Sequence, residues 1–147
     1  MTERRRLSDE NKAIALRLFD EVLNAHSLAL CDDLYDPNYV PHSLPPGFSP
    51  NREGVKQYHS QYFRAFPDMH LTVDGMIAEG DWVAVHYTGR GTHQGDLMGI
   101  PPTGKQVTAS AVLTLRIVDG MIVDDWLDGD KLGLLQQLGV IPSSAQA

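Results

Sequence analysis

The stretch from Ile117 to Gly139 reads IVDGMIVDDWLDGDKLGLLQQLG and gathers Asp124, Asp125, Asp128 and Asp130 around Trp126. A strand this acidic cannot be buried on both faces unless its carboxylates have partners or a chemical role. A carboxylate held in an apolar pocket is pushed toward neutral pKa and becomes a general base able to take a proton from carbon. Asp125 is the first candidate for that role. Its alternative is a carboxylate bound to neighbouring backbone or paired with Arg90 or Arg116. Asp128 is adjacent to the strand's end and reads as a solvated turn residue. It becomes a second catalytic candidate only if a bulge near Gly129 turns it inward. Asp130 sits where a helix N-cap belongs.

The histidines add acid–base capacity. His86 lies between Val85 and Tyr87 in a strand pattern and points away from both. Such a residue either lines a cavity or makes one buried hydrogen bond. His93 is expected to make a structural hydrogen bond, His59 and His70 to be solvated, and His26 to sit at a helix end. With no HxH, HExxH or Cys/His cluster, no metal ligand set is expected. Neither GxxxxGK[ST] nor a GxGxxG opening a helix is present, so nucleotide binding has no support.

These side chains are positioned by helices first and strands afterwards. Ser8 can cap a helix in which Ile14, Ala15, Leu18, Phe19, Val22 and Leu23 form one stripe to about Ala25. A short helical piece carries Leu30, Cys31, Leu34 and Tyr35. Prolines at 37, 41, 45, 46 and 50 predict an irregular loop over residues 37 to 50, with His42 inside it. From Asn51, Val55, Tyr58, His59, Tyr62, Phe63 and Phe66 recur helically until Pro67. The period then changes to alternation at Leu71 and Val73, at Val83, Val85 and Tyr87, and in the apolar run from Val107 to Val118. Gly80-Asp81 marks one hairpin. Asp119-Gly120 marks another with a type I′ turn, leading to a last strand over about Met121 to Leu127. The loop from His93 to Lys105 is expected to border the opening of the fold. Helices followed by antiparallel strands define an α+β fold, with helices on one face of a curved sheet.

Composition bounds the rest. A chain of 147 residues is expected to form one domain, residues 1–147, with a disordered tail from about 143. The net charge of −7 argues against nucleic acid and anionic membranes as partners. No apolar run approaches a bilayer span and the N-terminus lacks a signal peptide's apolar core, so a cytoplasmic location is expected. Cys31, the single cysteine, fits a reducing compartment and reads as a small core residue.

Four segments in register carry a resemblance: FRAFPD (Phe63 to Asp68), GRGTHQGDLMGIPPTGK (Gly89 to Lys105), RIVDGMIVDDW (Arg116 to Trp126) and DKLGLLQQLG (Asp130 to Gly139). In that order and spacing the chain resembles the SnoaL-like polyketide cyclase family of the NTF2-like superfamily, over about 130 residues. The resemblance implies a cone-shaped α+β barrel enclosing a largely apolar pocket, with dimers or tetramers formed through the outer face of the sheet. It implies intramolecular aldol closure of a polyketide ester without metal or cofactor, an aspartate on the last strand acting as base. An ungapped alignment on DG and QLG puts that aspartate's position at Leu127, so the chain departs from the family at the base itself. Asp125 is two residues earlier and shares the face of Leu127 by strand alternation. Family members often carry a histidine at the place of His42, at the pocket mouth; a surface-loop histidine is the alternative reading.

The expected catalytic set is therefore Asp125, His42, His86 and Asp128. Tyr62, Phe66, Leu127, Leu113 and Arg90 are expected to bind substrate, and Trp126 to face away from the pocket at a subunit interface. Three functions stay open. One is a cofactor-free acid–base enzyme on a hydrophobic carbonyl compound, a cyclase, isomerase or lyase. Another is an epoxide-hydrolase type using carboxylates with Arg90 or Arg116. The third is a protein that only binds a hydrophobic ligand, acting as a homodimer or homotetramer like the others.

Overall fold

The computed structural model describes residues 2–142; the tail expected from about 143 lies outside them. Helix α1 spans Glu3–Arg17 and runs on into a π-helical turn at Leu18–Leu23. Its start differs from the expected Ser8: Thr2 is the cap, its hydroxyl accepting from the Arg5 N–H at 3.2 Å. The π turn places Leu18, Phe19, Val22 and Leu23 together in the core. Helix α2 is Cys31–Leu34. Strand β1 is Tyr35–Pro41, helix α3 Arg52–Ala65, and strands β2 to β5 are His70–Glu79, Trp82–Thr92, Gln106–Val118 and Met121–Gly129. Helix α4 is Lys131–Gln137, capped by the Asp130 carboxylate at the Gly133 N–H, 2.9 Å away.

The five strands lie in the order β1-β5-β4-β3-β2. All neighbours are antiparallel except β1, which runs parallel to β5. This edge strand replaces the first part of the loop expected over 37 to 50. Prolines are tolerated there because an edge strand needs only some of its N–H groups. Tyr35, Tyr39 and Pro41 turn inward and are buried. The Asp119-Gly120 turn has the two positive φ angles, 50° and 80°, of the predicted type I′ hairpin.

One register shift decides the face of every carboxylate in β5. Arg116 pairs with Asp124 but Ile117 pairs with Ile122, so Val123 is an extra residue on β5. Ile122 points into the core at 0% exposure, and without this bulge Asp124 would follow it inward. With it, Asp124 and Trp126 face out, while Asp125 and Leu127 face the concave side. Helices α1 and α3 fill that concavity. Gly91 allows the close approach of α3, since a Cβ there would stand 3.1 Å from the Phe66 Cβ.

Candidate active site

A cavity of about 180 Å³ opens between α3, α4 and the concave face of the sheet. Tyr58, Tyr62, Phe63 and Phe66 line it from α3, Leu113 and Leu127 from the sheet, and Leu134 from α4. Tyr58 and Tyr62 sit 5.0 Å apart and Tyr62 stacks toward Phe66 at 6.1 Å, an aromatic wall suited to a flat ligand. Of the expected binding residues, Tyr62, Phe66, Leu113, Leu127 and Arg90 all belong to the lining. Arg90 is itself exposed, between two lining glycines, Gly89 and Gly91.

Asp125 lies one row deeper than Leu127, opposite Leu115, and is 7% exposed. Its Oδ2 accepts a hydrogen bond of 2.7 Å from the Tyr39 hydroxyl. Burial pushes the Asp125 carboxyl up to about 7, against the opposing effect of the Tyr39 hydrogen bond. The cavity tyrosines Tyr58 and Tyr87 are raised chiefly by burial, and the charge of Asp125 adds to both. Neither arginine pairs with it: Arg116 makes a double contact with Asp124 on the other face, at 2.6 Å.

The other three expected catalytic residues are not brought to Asp125. His42 stands on the outer face, its Nε2 2.8 Å from Asp124 Oδ1 and its ring stacked on Trp126 at 4.5 Å. The reason is the end of β1: His42 donates its backbone N–H to the Asp125 carbonyl and so continues the outward alternation. His86 is exposed on the outer face, neither lining the main cavity nor buried. Asp128 is also exposed there, because the bulge in β5 lies at Val123 and not near Gly129. His86 and Asp128 share a shallow outer depression with Asp74 and Asp130.

One group expected elsewhere stands at the cavity. His59, expected to be solvated, lines it, and its Nε2 is 3.0 Å from the Tyr35 hydroxyl. Burial lowers the His59 imidazole to about 4, so it is neutral at physiological pH. Tyr35 in turn packs on Tyr39 with ring centroids 4.5 Å apart. Two hydrogen-bonded pairs, Asp125–Tyr39 and Tyr35–His59, are thus joined by the packing of the two tyrosine rings. The signal for His59 was its place in the α3 stripe between Tyr58 and Tyr62. Tyr39 had no such signal, since the prolines concealed β1.

The fold is α+β with a curved sheet, and it holds an aromatic cavity of small-molecule size and a buried acid with raised pKa on the same face of the sheet. A family model described as SnoaL-like polyketide cyclase matches residues 13–138, and the chain belongs to that family. Nogalonic acid methyl ester cyclase of Streptomyces nogalater is 33% identical over 112 residues, 74% of this chain and 82% of that protein. Aklanonic acid methyl ester cyclase DauD of Streptomyces sp. (strain C5) is 39% identical over 74 residues. That match takes in 49% of this chain and 45% of DauD, less than half of the relative. Among solved structures, AclR from Streptomyces galilaeus, which carries a provisional hydroxylase assignment, is 31% identical with a TM-score of 0.80. It covers 92% of this chain and 85% of its own. IdmH from Streptomyces antibioticus, provisionally assigned as a polyketide cyclase, is 33% identical with a TM-score of 0.75, covering 88% and 98%.

Proposed function

We propose that the protein is a cofactor-free acid–base enzyme that closes a ring in a methyl ester of a polyketide acid by intramolecular aldol condensation, with Asp125 as the base. The observation that carries this reading is the buried Asp125 carboxyl, not itself among the lining residues but on the same face of β5 as the lining residue Leu127, bound by Tyr39 and raised to about 7. At that value it is partly ionised at neutral pH, where a base of matched pKa works best. Asp125 takes the proton from the carbon next to the ester carbonyl, and the C–H electron pair becomes the enolate. The enolate carbon attacks a ketone carbon of the same molecule, and the alkoxide so formed recovers the proton from Asp125. No oxidant or metal enters the balance. The base thus stands two residues before the position, Leu127, at which the family resemblance expects it.

Turnover of nogalonic and aklanonic acid methyl esters by the purified protein tests this reading. Asp125→Asn should lower kcat on the order of 10²–10⁴-fold. Retained turnover in that variant contradicts the assignment. Tight binding of the esters with no turnover by the unaltered protein favours the ligand-binding reading instead.

We further propose that a second copy covers the outer face of the sheet. Ile77, 67% exposed, stands beside Ala84 in a row that leads to Trp126. Trp126 stacks on Trp82 at 5.1 Å, and Trp82 is 46% exposed. Exposed apolar side chains set among polar ones, Thr114 and the Arg116–Asp124 pair, suit a self-complementary contact. A cytoplasmic location agrees with the buried, unpaired Cys31. No described helix is long and apolar enough to cross a membrane.

A further inference from the structure

We propose that His59 is a second catalytic residue of the cavity, donating its Nδ1–H to the substrate carbonyl oxygen as that oxygen gains enolate charge. The inference rests on the cyclase reading above and adds the electrophilic partner that a lone base lacks. Proton removal by Asp125 leaves negative charge on oxygen, and a fixed donor aimed at that oxygen lowers the barrier. Three of the residues expected to supply such a donor do not reach the cavity: His42 and His86 face outward and Arg116 is held by Asp124, while Arg90, at the lining, is itself exposed.

The tautomer follows from counting donors. Tyr35 is 1% exposed, and among the described residues its hydroxyl has one hydrogen-bond partner, His59 Nε2 at 3.0 Å. A buried hydroxyl must place its proton on an acceptor, so Tyr35 donates and Nε2 accepts. The ring proton is then on Nδ1. That nitrogen has no hydrogen bond among the described residues, yet it is not one of the sealed, unpartnered polar atoms, which are Gln61 Oε1 and His93 Nε2. Nδ1 therefore keeps some exposure on a residue that lines the cavity. Burial lowers the imidazole to about 4, which keeps it a neutral donor across the working range. The rings around it are Tyr35, Tyr58 and Phe63, with Asp125 beyond Tyr39, while the cavity's cations, Arg90 and Lys131, come from β3 and α4.

Imidazole nitrogen NMR on the full-length, histidine-labelled protein reads the tautomer directly. The expected result is a neutral Nδ1–H form of His59 that does not titrate between pH 8 and pH 5, and that becomes a tautomer mixture in Tyr35→Phe. Adding nogalonic acid methyl ester to the Asp125→Asn variant should move the Nδ1 proton downfield. In turnover, His59→Phe should lower kcat on the order of 10²-fold with a smaller change in KM, as for loss of one oxyanion donor. His59→Gln, which keeps an N–H donor, should recover part of that loss, and circular dichroism confirms that each variant is folded. An Nε2–H tautomer, or a His59 that titrates near pH 6.5, overturns the inference. So does full turnover by His59→Phe beside an inactive Asp125→Asn. Full turnover by both variants instead removes Asp125 as the base, and no turnover by the unaltered protein removes the cyclase reading beneath it.

Discussion

Tyr39 and Asp125 are 86 residues apart in the chain, and their side chains meet at 2.7 Å in the deepest part of the concave face. The pair exists because β1 runs parallel along β5, with Pro41 beside Asp125, so that Tyr39 projects inward from the edge of the sheet. The hydroxyl has one role that a purely apolar neighbour could not fill. It favours the ionised form of a carboxylate that burial disfavours.

Removing that hydroxyl should therefore move the base in a defined direction. Tyr39→Phe takes away the hydrogen bond that lowers the Asp125 pKa, so the carboxyl rises above about 7. A bond to a charged group contributes about 1.5–3 kcal/mol, or roughly one to two pKa units. The rising limb of kcat/KM against pH should shift to higher pH by that amount, and the rate at pH 7 should fall roughly tenfold. An unmoved limb separates Tyr39 from the base.

The buried carboxyl also makes stability depend on pH. Its pKa rises from 3.8 in the unfolded chain to about 7 in the fold. Between those values the unfolded chain releases the proton and the folded one keeps it, so stability falls as pH rises through the window and levels off above it. The loss is on the order of 1–4 kcal/mol. Asp125→Asn should then raise Tm by several degrees at pH 8 and little at pH 4, read by thermal denaturation at the two pH values. A lower Tm at pH 8 would mean that the carboxylate stabilises the fold.

How far the site could be read from the chain depended on where the sheet is irregular. Asp125 and Leu127 both lie beyond the bulge at Val123, so simple alternation placed them correctly on one face. The outward turn of Asp128 followed from the same alternation once no bulge intervened at Gly129. His42 was misplaced because a proline-rich segment gives no period, and the parallel pairing of β1 with β5 is a long-range choice that local pattern does not encode. The His59 cavity position was present in the helical stripe of α3, but a histidine's polarity suggested solvent. The hairpin at Asp119-Gly120 and the cap at Asp130 rest on local rules and formed as expected, and Tyr62 and Phe66, from the helical stripe of α3, line the cavity.

Leu127 offers a test of which position carries the base. Leu127→Asp puts a second carboxylate on the cavity face, two residues from Asp125. If Asp125 is the base, the added charge raises its pKa further and activity at pH 7 drops several-fold, with the pH limb moved upward. Higher activity at pH 7 would place the base at 127.

The outer face predicts assembly. Sedimentation velocity should find a dimer or larger for the unaltered protein and a folded monomer for Trp82→Glu, since a carboxylate in an apolar contact between copies is left unpaired. A monomer in both proteins contradicts the proposed interface.

The central claim is that one buried carboxyl, Asp125, supplies the base. It is tested most directly by titrating the Asp125 side-chain carboxyl by carbon-13 NMR and overlaying the result on the pH profile of kcat/KM for the ester substrate. The expected result is one carboxyl titrating near 7, a rate profile whose rising limb has the same midpoint, and loss of that limb in Asp125→Asn. A carboxyl that titrates near 4, or a limb near 7 that survives Asp125→Asn, contradicts it.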